Sequence, residues 1–355
     1  ELPPRHVVLN LAPADLRKRG SSLDLAIAVA LLAACRSCAP NRLEETLLFG
    51  ELSLTGDLRP ARGLIPQLRG AADQGLRAAV VPASQLEQAG LVDGLDVRGA
   101  HDLRSVVAHF NGEIQLPTPS GPGPQIASRV ARCLSEVQGQ ENAKRALEIA
   151  AAGLHHLLLV GPPGAGKTML ARRLPGILPR PSREDALDLV AIASAAGLPV
   201  DRVIQRPFRA PHHTASAVAL VGGGDPVRPG EVTLAHGGVL FLDELPEFAR
   251  PAIEAFRTVM DERRVVISRA RDRVEMPAGP LVVAAMNPCP CGFDGEPTRM
   301  CRCNPSRIER YRGRVSGPIL DRFDLHVALP KVPLRRLEGP GARGEPSEVV
   351  RARVE

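Results

Sequence analysis

The chain has 355 residues, 44% of them hydrophobic and 24% charged, which is long enough for two or three globular domains. No apolar stretch could span a bilayer, no secretory signal opens the chain, and seven cysteines are too few for a disulfide framework. We therefore expect a cytoplasmic protein with no membrane partner.

The net charge of +6 arises beyond residue 120, where 33 basic side chains stand against 26 acidic ones. Residues 1–120 carry 12 against 13. Such an excess fits a polyanion partner such as nucleic acid. It fits an arginine-rich composition equally well, so charge alone leaves the partner open.

Residues 1–112 alternate short β-type runs with helical patterns and predict a first α/β domain, whose opening residues indicate a truncated N-terminus. Its clearest helix covers residues 22–34, with Ser21 or Ser22 as the N-cap. Residues 113–128 are rich in Pro and Gly and predict an exposed linker. A second α/β domain is expected over residues 129–332, and the polar residues 333–355 predict the start of a lid region that the chain does not complete.

A phosphate-binding loop follows the apolar run 157–160 and precedes a helical pattern from Met169. Its glycines let the backbone approach phosphates closely, and the helix N-terminus adds partial positive charge. We expect Lys167 to contact the β- and γ-phosphates of ATP or GTP, and Thr168 to bind Mg²⁺. The loop consists of Gly161, Pro162, Pro163, Gly164, Ala165, Gly166, Lys167 and Thr168.

Two further apolar runs end in polar side chains. After residues 238–242 come Asp243, expected to bind nucleotide and position Mg²⁺, and Glu244, placed as general base toward an attacking water. Both carboxylates could also cap the next helix. The run 281–286 ends at Asn287, which could align the water, although Asn-Pro is a common turn as well. Together with the loop, these residues predict hydrolysis rather than binding alone.

Four cysteines lie within one short loop: Cys289, Cys291, Cys301 and Cys303. Four thiolates suit a tetrahedral Zn²⁺ site, so we expect a structural zinc ion. C-x-C spacing is less usual than C-x-x-C, and reduced surface thiols are the alternative.

Five segments together resemble the magnesium-chelatase-like AAA+ ATPases of the YifB/ComM type. They are residues 161–168, 207–216, 240–248, 285–292 and 316–324. The first domain is similar to the Lon-protease-like domain that precedes the ATPase in that family. The resemblance implies a Lon-protease-like (ribosomal protein S5 domain 2-like) α/β domain, followed by a P-loop AAA+ three-layer α/β/α domain with chelatase-type hairpin insertions.

The resemblance also implies how the protein works. Arg322 matches the arginine finger that enters the neighbouring subunit's ATP site, which implies a homo-oligomeric ring, most simply a hexamer. An ion pair with Asp321 or Asp324 is the alternative role for this arginine. The implied activity is that of an ATP-driven, ComM-like helicase on single-stranded or branched DNA, promoting branch migration in natural transformation.

Two insertions are implied to face the pore of such a ring. Residues 207–231, with His212 and His213, are expected to form a loop, and residues 264–277 a β-hairpin. Arg269, Arg271 and Arg273 alternate along the hairpin and would share one face, where they could follow a DNA backbone. Solvated charges are the alternative.

Two other functions remain open. One is a magnesium-chelatase-type motor acting on partner proteins, whose ATPase domain would look much the same. The other is an ATP-dependent Lon-type protease, because Ser22 stands at the position of the serine nucleophile in the resemblance. The lysine that such a serine needs is replaced by Ile65, so a non-peptidase domain is expected, with Ser22 as a helix N-cap.

Overall fold

The structure is a computed structural model and describes residues 6–11, 21–120, 125–126, 132–200, 203–268, 273–297, 299–332 and 344–355. The chain divides into two compact units. The first contains residues 1–125 and 190–203, and the second contains residues 126–189 and 204–355. The sequence predicted residues 190–203 as part of the second domain, whereas they group with the first unit.

The first unit is an α/β structure around a small parallel sheet with strand order β1-β4-β5. Leu25 and Val29 pack with Val80 and Val106 in its core. The first unit also contains a two-stranded antiparallel sheet, β2-β3. The elements are α1 (Asp24–Ala34), β1 (Thr46–Leu48), β2 (Glu51–Leu52), β3 (Leu58–Arg59), α2 (Leu64–Asp73), β4 (Ala78–Pro82), α3 (Leu86–Ala89), β5 (Asp96–Ala100) and α4 (Leu103–Phe110).

The predicted serine cap of α1 is wrong. The N-cap residue is Leu23, and no side chain caps the helix. Leu23 already has helical dihedral angles, because residues 21–24 form a turn in which Asp24 N donates to Ser21 O. Ser22 contributes its backbone carbonyl instead, which accepts from Gly50 N at 3.1 Å.

Ser194 explains why residues 190–203 group with the first unit. Its carbonyl accepts from Gly63 N at 3.1 Å, and its hydroxyl accepts from Ile65 N at 3.4 Å. These two N–H groups lie at the start of α2, where a helix has no internal acceptors. Ser194 therefore caps the N-terminus of α2. The sequence had predicted a serine cap for α1 instead.

Most of residues 113–120, which follow α4, are exposed, but they do not form a free linker. Leu116 is buried in the core of the first unit. Its carbonyl accepts from Arg98 at 3.1 Å, and the carbonyl of Pro117 accepts from Gly99 N at 2.9 Å. The Pro/Gly-rich composition did not predict that Leu116 would fix this segment to the core.

The second unit contains a five-stranded parallel sheet with strand order β16-β7-β15-β12-β9. Two further elements, β6 (Gln125–Ile126) and β8 (Val203–Ile204), pair with each other. The remaining elements are α5 (Glu141–Gly153), β7 (Leu157–Val160), α6 (Lys167–Ala171), α7 (Arg183–Ala196), β9 (Phe208–Arg209), α8 (Ala217–Val221), β10 (Gly222–Gly223), β11 (Arg228–Pro229), α9 (Glu231–Leu234), β12 (Val239–Leu242), α10 (Arg250–Glu262), β13 (Arg264–Ser268), β14 (Arg273–Pro277), β15 (Leu281–Met286), α11 (Pro305–Arg312), α12 (Gly317–Leu320), β16 (Leu325–Ala328) and α13 (Ser347–Val354).

Helices cover both faces of this sheet, which gives the expected three layers. Leu157 and Leu159 face a core cluster that includes α5 and α6, whereas Leu158 faces one that includes α10. Continuous apolar strands are required because a parallel sheet is buried on both faces. The carboxyl ends of β7, β15 and β12 consequently meet at one edge, where α/β proteins bind ligands.

The polar end of the chain belongs to this unit's core, which its composition did not predict. Helix α13 buries Val350 in the cluster around α5. Arg351 is buried too, and its guanidinium donates to Gly176 O at 3.1 Å. Val354 packs against the same cluster, and the buried Ser347 hydroxyl accepts from Leu134 N at 2.8 Å. Two apolar residues among polar ones form too sparse a pattern to detect in the sequence.

The structure contains the predicted hairpin: β13 and β14 pair antiparallel, with Ser268 opposite Arg273. Arg269 and Arg271 fall outside the described residues. The other insertion is not a simple loop, because residues 207–231 include helix α8 and a second hairpin, β10-β11. None of the described helices combines the length and apolarity needed to cross a bilayer.

Candidate nucleotide-binding site

The phosphate-binding loop joins β7 to α6 at the carboxyl edge of the five-stranded sheet. Gly164 and Gly166 adopt positive φ angles of 79° and 90°, which side-chain-bearing residues adopt only with strain. Gly166 is also the N-cap of α6. The loop therefore ends on a helix N-terminus, the arrangement that binds phosphate through backbone N–H groups.

Lys167 is half-buried at the first position of α6 and lies over the loop. Its ammonium donates to the carbonyls of Gly161 at 2.6 Å and Pro162 at 3.1 Å, and to Asn287 Oδ1 at 3.0 Å. Burial lowers the pKa of Lys167, and the carboxylates of Asp243 and Glu244 oppose that shift. The positive charge thus stands beside the glycine backbone where phosphates would bind.

Thr168 and Asp243 come together from α6 and the end of β12. The Thr168 hydroxyl donates to Asp243 Oδ2 at 2.9 Å. Hydroxyl and carboxylate oxygens are the ligands that Mg²⁺ prefers, usually together with phosphate oxygens and water. These two side chains therefore fit the ion that the sequence predicts here.

Glu244 is exposed and has a φ angle of 55°, which turns the chain sharply after β12. Its backbone N–H donates to Asp243 Oδ1 at 3.0 Å. Its carboxylate lies 3.1 Å from Nδ1 of His213. The sequence suggests only DNA contact for His213 and does not predict its approach to Glu244, since no spacing rule links the two residues.

His213 is itself held by aromatic neighbours. Its ring centroid lies 4.1 Å from that of His212 and 6.5 Å from that of Phe248. The Nδ1 atom of His212 lies 2.9 Å from the Thr214 hydroxyl. The two adjacent histidines therefore have different surroundings, and His213 is the one beside the candidate general base.

Asn287 lies at the end of β15, between the loop and the carboxylates, because β15 separates β7 from β12 in the sheet. Its side chain accepts from Lys167, and its backbone lies near the Tyr311 hydroxyl. Burial raises the pKa of Tyr311, so the phenol remains protonated. Asn287 is thus anchored on two sides.

These residues surround one cleft of about 440 Å³. That volume is within the range of small-molecule and cofactor sites. All the predicted catalytic side chains line it except Arg322. The lining residues are Pro163, Gly164, Ala165, Gly166, Lys167, Thr168, Met169, Asp243, Glu244, Met286 and Asn287.

The four cysteines form a compact cluster directly after Asn287. The sulfur of Cys289 lies 3.3 Å from that of Cys291 and 3.7 Å from that of Cys301, and the sulfurs of Cys291 and Cys301 are 3.6 Å apart. All four sulfurs, including that of Cys303, lie within 4.8 Å of one another. A tetrahedral zinc ion with Zn–S bonds of about 2.3 Å requires sulfurs roughly 3.8 Å apart. The cluster could therefore hold a metal ion.

Comparison with known proteins identifies the family of this chain. The family model described as "Magnesium chelatase, subunit ChlI" matches residues 133–337, and that of "Subunit ChlI of Mg-chelatase" matches residues 1–85. The uncharacterized protein YifB of Escherichia coli K12 is 45% identical over 357 residues, which cover 100% of this chain and 70% of YifB. The competence protein ComM of Haemophilus influenzae is 43% identical over 359 residues, with coverage of 99% and 70%.

The chain belongs to the magnesium-chelatase-like AAA+ ATPases of the YifB/ComM family. Two more distant proteins match parts of it. Lon protease 2 of Bacillus subtilis is 31% identical over 150 residues, 39% of this chain and 27% of its own length. The Holliday junction branch migration complex subunit RuvB of Saccharopolyspora erythraea is 28% identical over 206 residues, 54% of this chain and 42% of its own length. These matches agree with a Lon-like unit followed by an AAA+ unit.

In this family member Arg322 lies outside the cleft, just after α12. Its guanidinium binds Asp261 of α10, with Nε 2.8 Å from Oδ1, and the pair lowers the pKa of Asp261. The ion pair does not involve Asp321 or Asp324, the partners considered from the sequence. Asp324 instead accepts from His156 N at 2.7 Å. Arg322 is partly exposed, so it is accessible from outside the chain.

Proposed function

We propose that this protein hydrolyses ATP in a ring of identical subunits, most simply a hexamer, in the cytoplasm, and that it uses the energy to act on DNA. The hydrolysis step is supported by one observation above all. A phosphate-binding loop, an Mg²⁺-type ligand pair and a carboxylate suited to activate water line the same cleft.

Each residue has a defined role in this proposal. The loop N–H groups and Lys167 bind the β- and γ-phosphates. Thr168 and Asp243 would hold Mg²⁺, which supplies charge stabilisation for the transferred phosphoryl group. Glu244 takes a proton from the attacking water, and Asn287 orients that water.

Arg322 is proposed to act on the site of the neighbouring subunit. Within its own chain it lies outside the cleft and is paired with Asp261. A guanidinium can exchange that carboxylate for phosphate oxygens, because both present the same planar pair of acceptors. Such fingers increase turnover about 10³- to 10⁵-fold.

DNA as the substrate is supported by relatives and by charge. One relative is a competence protein and another is a subunit of a Holliday junction branch migration complex. Arg273 at the tip of the described hairpin strand is exposed. Arg302, Arg307 and Arg310 are exposed on the segment around α11. Arginines on one unit can bind a phosphate backbone without regard to base sequence.

The test is the ATPase rate of the chain without DNA, with single-stranded DNA and with a four-way junction. We expect stimulation by at least one DNA that weakens steeply with salt, as phosphate contacts require. Lys167→Ala serves as the inactive control. Hydrolysis that no DNA changes, together with no DNA binding at low salt, would exclude DNA as the substrate.

The shared site is tested by mixing two inactive variants. Lys167→Ala keeps Arg322, and Arg322→Ala keeps the loop, so a mixed ring contains some intact interfaces. We expect turnover to reappear on mixing. A single Arg322→Ala variant that hydrolyses ATP at the wild-type rate would contradict the ring mechanism.

A magnesium-chelatase-type motor acting on partner proteins is the second candidate, favoured by the family model that matches residues 133–337. It predicts the same basal hydrolysis but no response to DNA. A Lon-type protease has less support, because Ile65 is fully buried where the resemblance requires a lysine base.

We further propose that the four cysteines bind zinc. Sulfur spacings close to those of a tetrahedral thiolate site support this choice of metal. Metal analysis of protein purified without added zinc should find one zinc ion per chain. Cys301→Ser and Cys303→Ser should each reduce that content. A wild-type chain without bound metal would leave the cluster as free thiols.

A further inference from the structure

The cysteine cluster lies against the phosphate-binding loop. Only Pro288 separates Asn287, which contacts Lys167, from Cys289, which is fully buried. The chain then turns at Gly292, whose N–H donates to Cys289 O at 2.9 Å. The segment 289–303, which we call the knuckle, therefore begins at the edge of the nucleotide cleft.

Gly292 packs against the phosphate-binding loop. It is buried and has a φ angle of 85°. A Cβ atom at this position would lie 2.6 Å from Cδ of Pro163 and 2.9 Å from its Cγ. Both distances are too short for a side-chain carbon. Because Pro163 lines the cleft, a side chain at position 292 would have to displace a residue of the nucleotide site.

Gly295, three residues further on, offers a comparison within the same turn. Its φ angle is 79°, almost that of Gly292, yet an added Cβ would meet nothing within 4 Å. The two glycines therefore have the same backbone requirement but differ in their contact with the loop.

Several contacts of the knuckle, and one of the preceding Pro288, come from exposed arginines. Arg312 donates to Pro288 O at 3.1 Å and to Asp294 at 2.8 Å, and Arg299 lies over the Phe293 ring at 4.1 Å. All three are contacts of exposed arginines, which contribute little in water. A metal ion bound by all four sulfurs would close the segment covalently and fix Gly292 against Pro163.

We propose that the knuckle is a metal-dependent wall of the nucleotide site. A thiophilic divalent cation bound by the four thiolates holds Gly292 against Pro163 and Asn287 beside Lys167, so metal binding strengthens nucleotide binding. By linkage, bound nucleotide must strengthen metal binding by the same factor. The inference rests on the proposed binding of ATP and zinc, and it adds their coupling.

The first experiment compares Gly292→Ala with Gly295→Ala in the full chain. Affinity for ATP and ADP is measured by calorimetry, with Mg²⁺ and zinc present and without DNA. Couplings between sites usually amount to about 5- to 150-fold, and we expect Gly292→Ala to weaken nucleotide binding about tenfold. Gly295→Ala should stay within about twofold of wild type, since it shares the strained φ but not the contact.

Circular dichroism and metal analysis accompany both variants, so that misfolding and zinc loss are detected separately. An equal loss of affinity in both variants would assign the effect to backbone strain in the knuckle and overturn the proposal. Wild-type affinity in Gly292→Ala would overturn it as well.

The second experiment uses the wild-type chain and tests the reciprocal effect. Zinc affinity is measured by equilibrium competition with a chromogenic chelator, with and without saturating ADP and Mg²⁺. We expect nucleotide to raise the zinc affinity about tenfold, and zinc-depleted protein to bind ADP about tenfold more weakly until zinc is restored. Equal zinc affinity with and without nucleotide, or equal ADP affinity with and without zinc, would overturn the coupling. Absence of DNA stimulation would count against the proposed substrate alone, because neither measurement involves DNA.

Discussion

The two units are both α/β structures around parallel sheets, but they differ in the side chains at the place where a catalytic site is expected. In the second unit Lys167, Asn287 and the Thr168–Asp243 pair are connected by hydrogen bonds at the sheet edge. In the first unit Ile65 is fully buried at the position where the resemblance to Lon-type peptidases implies a lysine. A parallel sheet needs only apolar packing, whereas a site needs particular polar side chains. A unit can therefore have this kind of fold with or without a site.

The sharpest test of that difference is the change Glu244→Gln. Glutamine preserves the shape of the side chain but cannot accept the proton of the attacking water. We expect turnover to fall about 10²- to 10⁴-fold, the usual contribution of a general base, with nucleotide affinity unchanged. Steady-state ATPase and calorimetry measure the two effects.

Glu247→Gln is the matched control. Glu247 lies three residues further on, outside the cleft, and pairs with Arg314 at 2.7 Å on the surface. Its loss should change turnover less than about twofold, because surface ion pairs contribute little. If Glu244→Gln kept more than about a tenth of wild-type turnover, Glu244 would not be the base.

A smaller effect is expected for His213→Ala. The His213 Nδ1 atom lies 3.1 Å from a Glu244 carboxylate oxygen, and a hydrogen bond to a charged group at this place would contribute about 1.5 kcal/mol. That energy corresponds to roughly tenfold in turnover if it positions the base. His213→Asn, whose amide can donate from a similar place, should recover part of the loss.

His212→Ala separates this role from DNA contact. Among the described residues the ion-pair contact with Glu244 belongs to His213, whereas His212 contacts Thr214 and the His213 ring, so DNA-free ATPase should fall less than in His213→Ala. If both histidine variants lowered only the DNA-stimulated rate, His213 would act on DNA as the sequence suggests and not on Glu244.

The nucleotide site was predictable because each of its parts follows an apolar strand, and the carboxyl ends of parallel strands converge. The contacts that the sequence missed join separate segments. Ser194 lies 129 residues from Ile65, whose N–H it accepts. His213 approaches Glu244 through the insertion after β9. The local pattern also gave the wrong role for Ser22. A serine before an apolar helix suggests an N-cap, but the pattern does not show whether the backbone there has the geometry of a cap.

A third prediction concerns pH and the second unit. The Nδ1 atoms of His156 and His236 accept backbone N–H groups from Val282 and Gly279, so both rings are neutral. Burial lowers the pKa of each ring. Below about pH 6.5 the two histidines therefore bind protons in the unfolded chain but not in the folded unit. The free energy of unfolding is thus highest above that pH and falls on acidification.

Thermal unfolding between pH 7.5 and 5.5 measures this effect, with roughly 2–4 °C expected per kcal/mol lost in a unit of this size. His156→Asn keeps an acceptor for the Val282 N–H but cannot titrate, so it should flatten the profile. A profile as steep as that of wild type would mean that other groups cause the acid sensitivity.

The smallest effect is expected for Ser22→Ala in the first unit. Since no side chain caps α1, removal of the hydroxyl should change the free energy of unfolding by less than about 0.5 kcal/mol. Asp102→Ala is the contrasting change: Asp102 accepts from Ser105 N at 2.7 Å in a complete capping box at α4, and its loss should cost about 1 kcal/mol. Equal losses in urea unfolding would mean that Ser22 stabilises α1 in another way.

The same variant tests for peptidase activity. If the wild-type chain degraded casein and Ser22→Ala did not, the first unit would have a peptidase site despite Ile65.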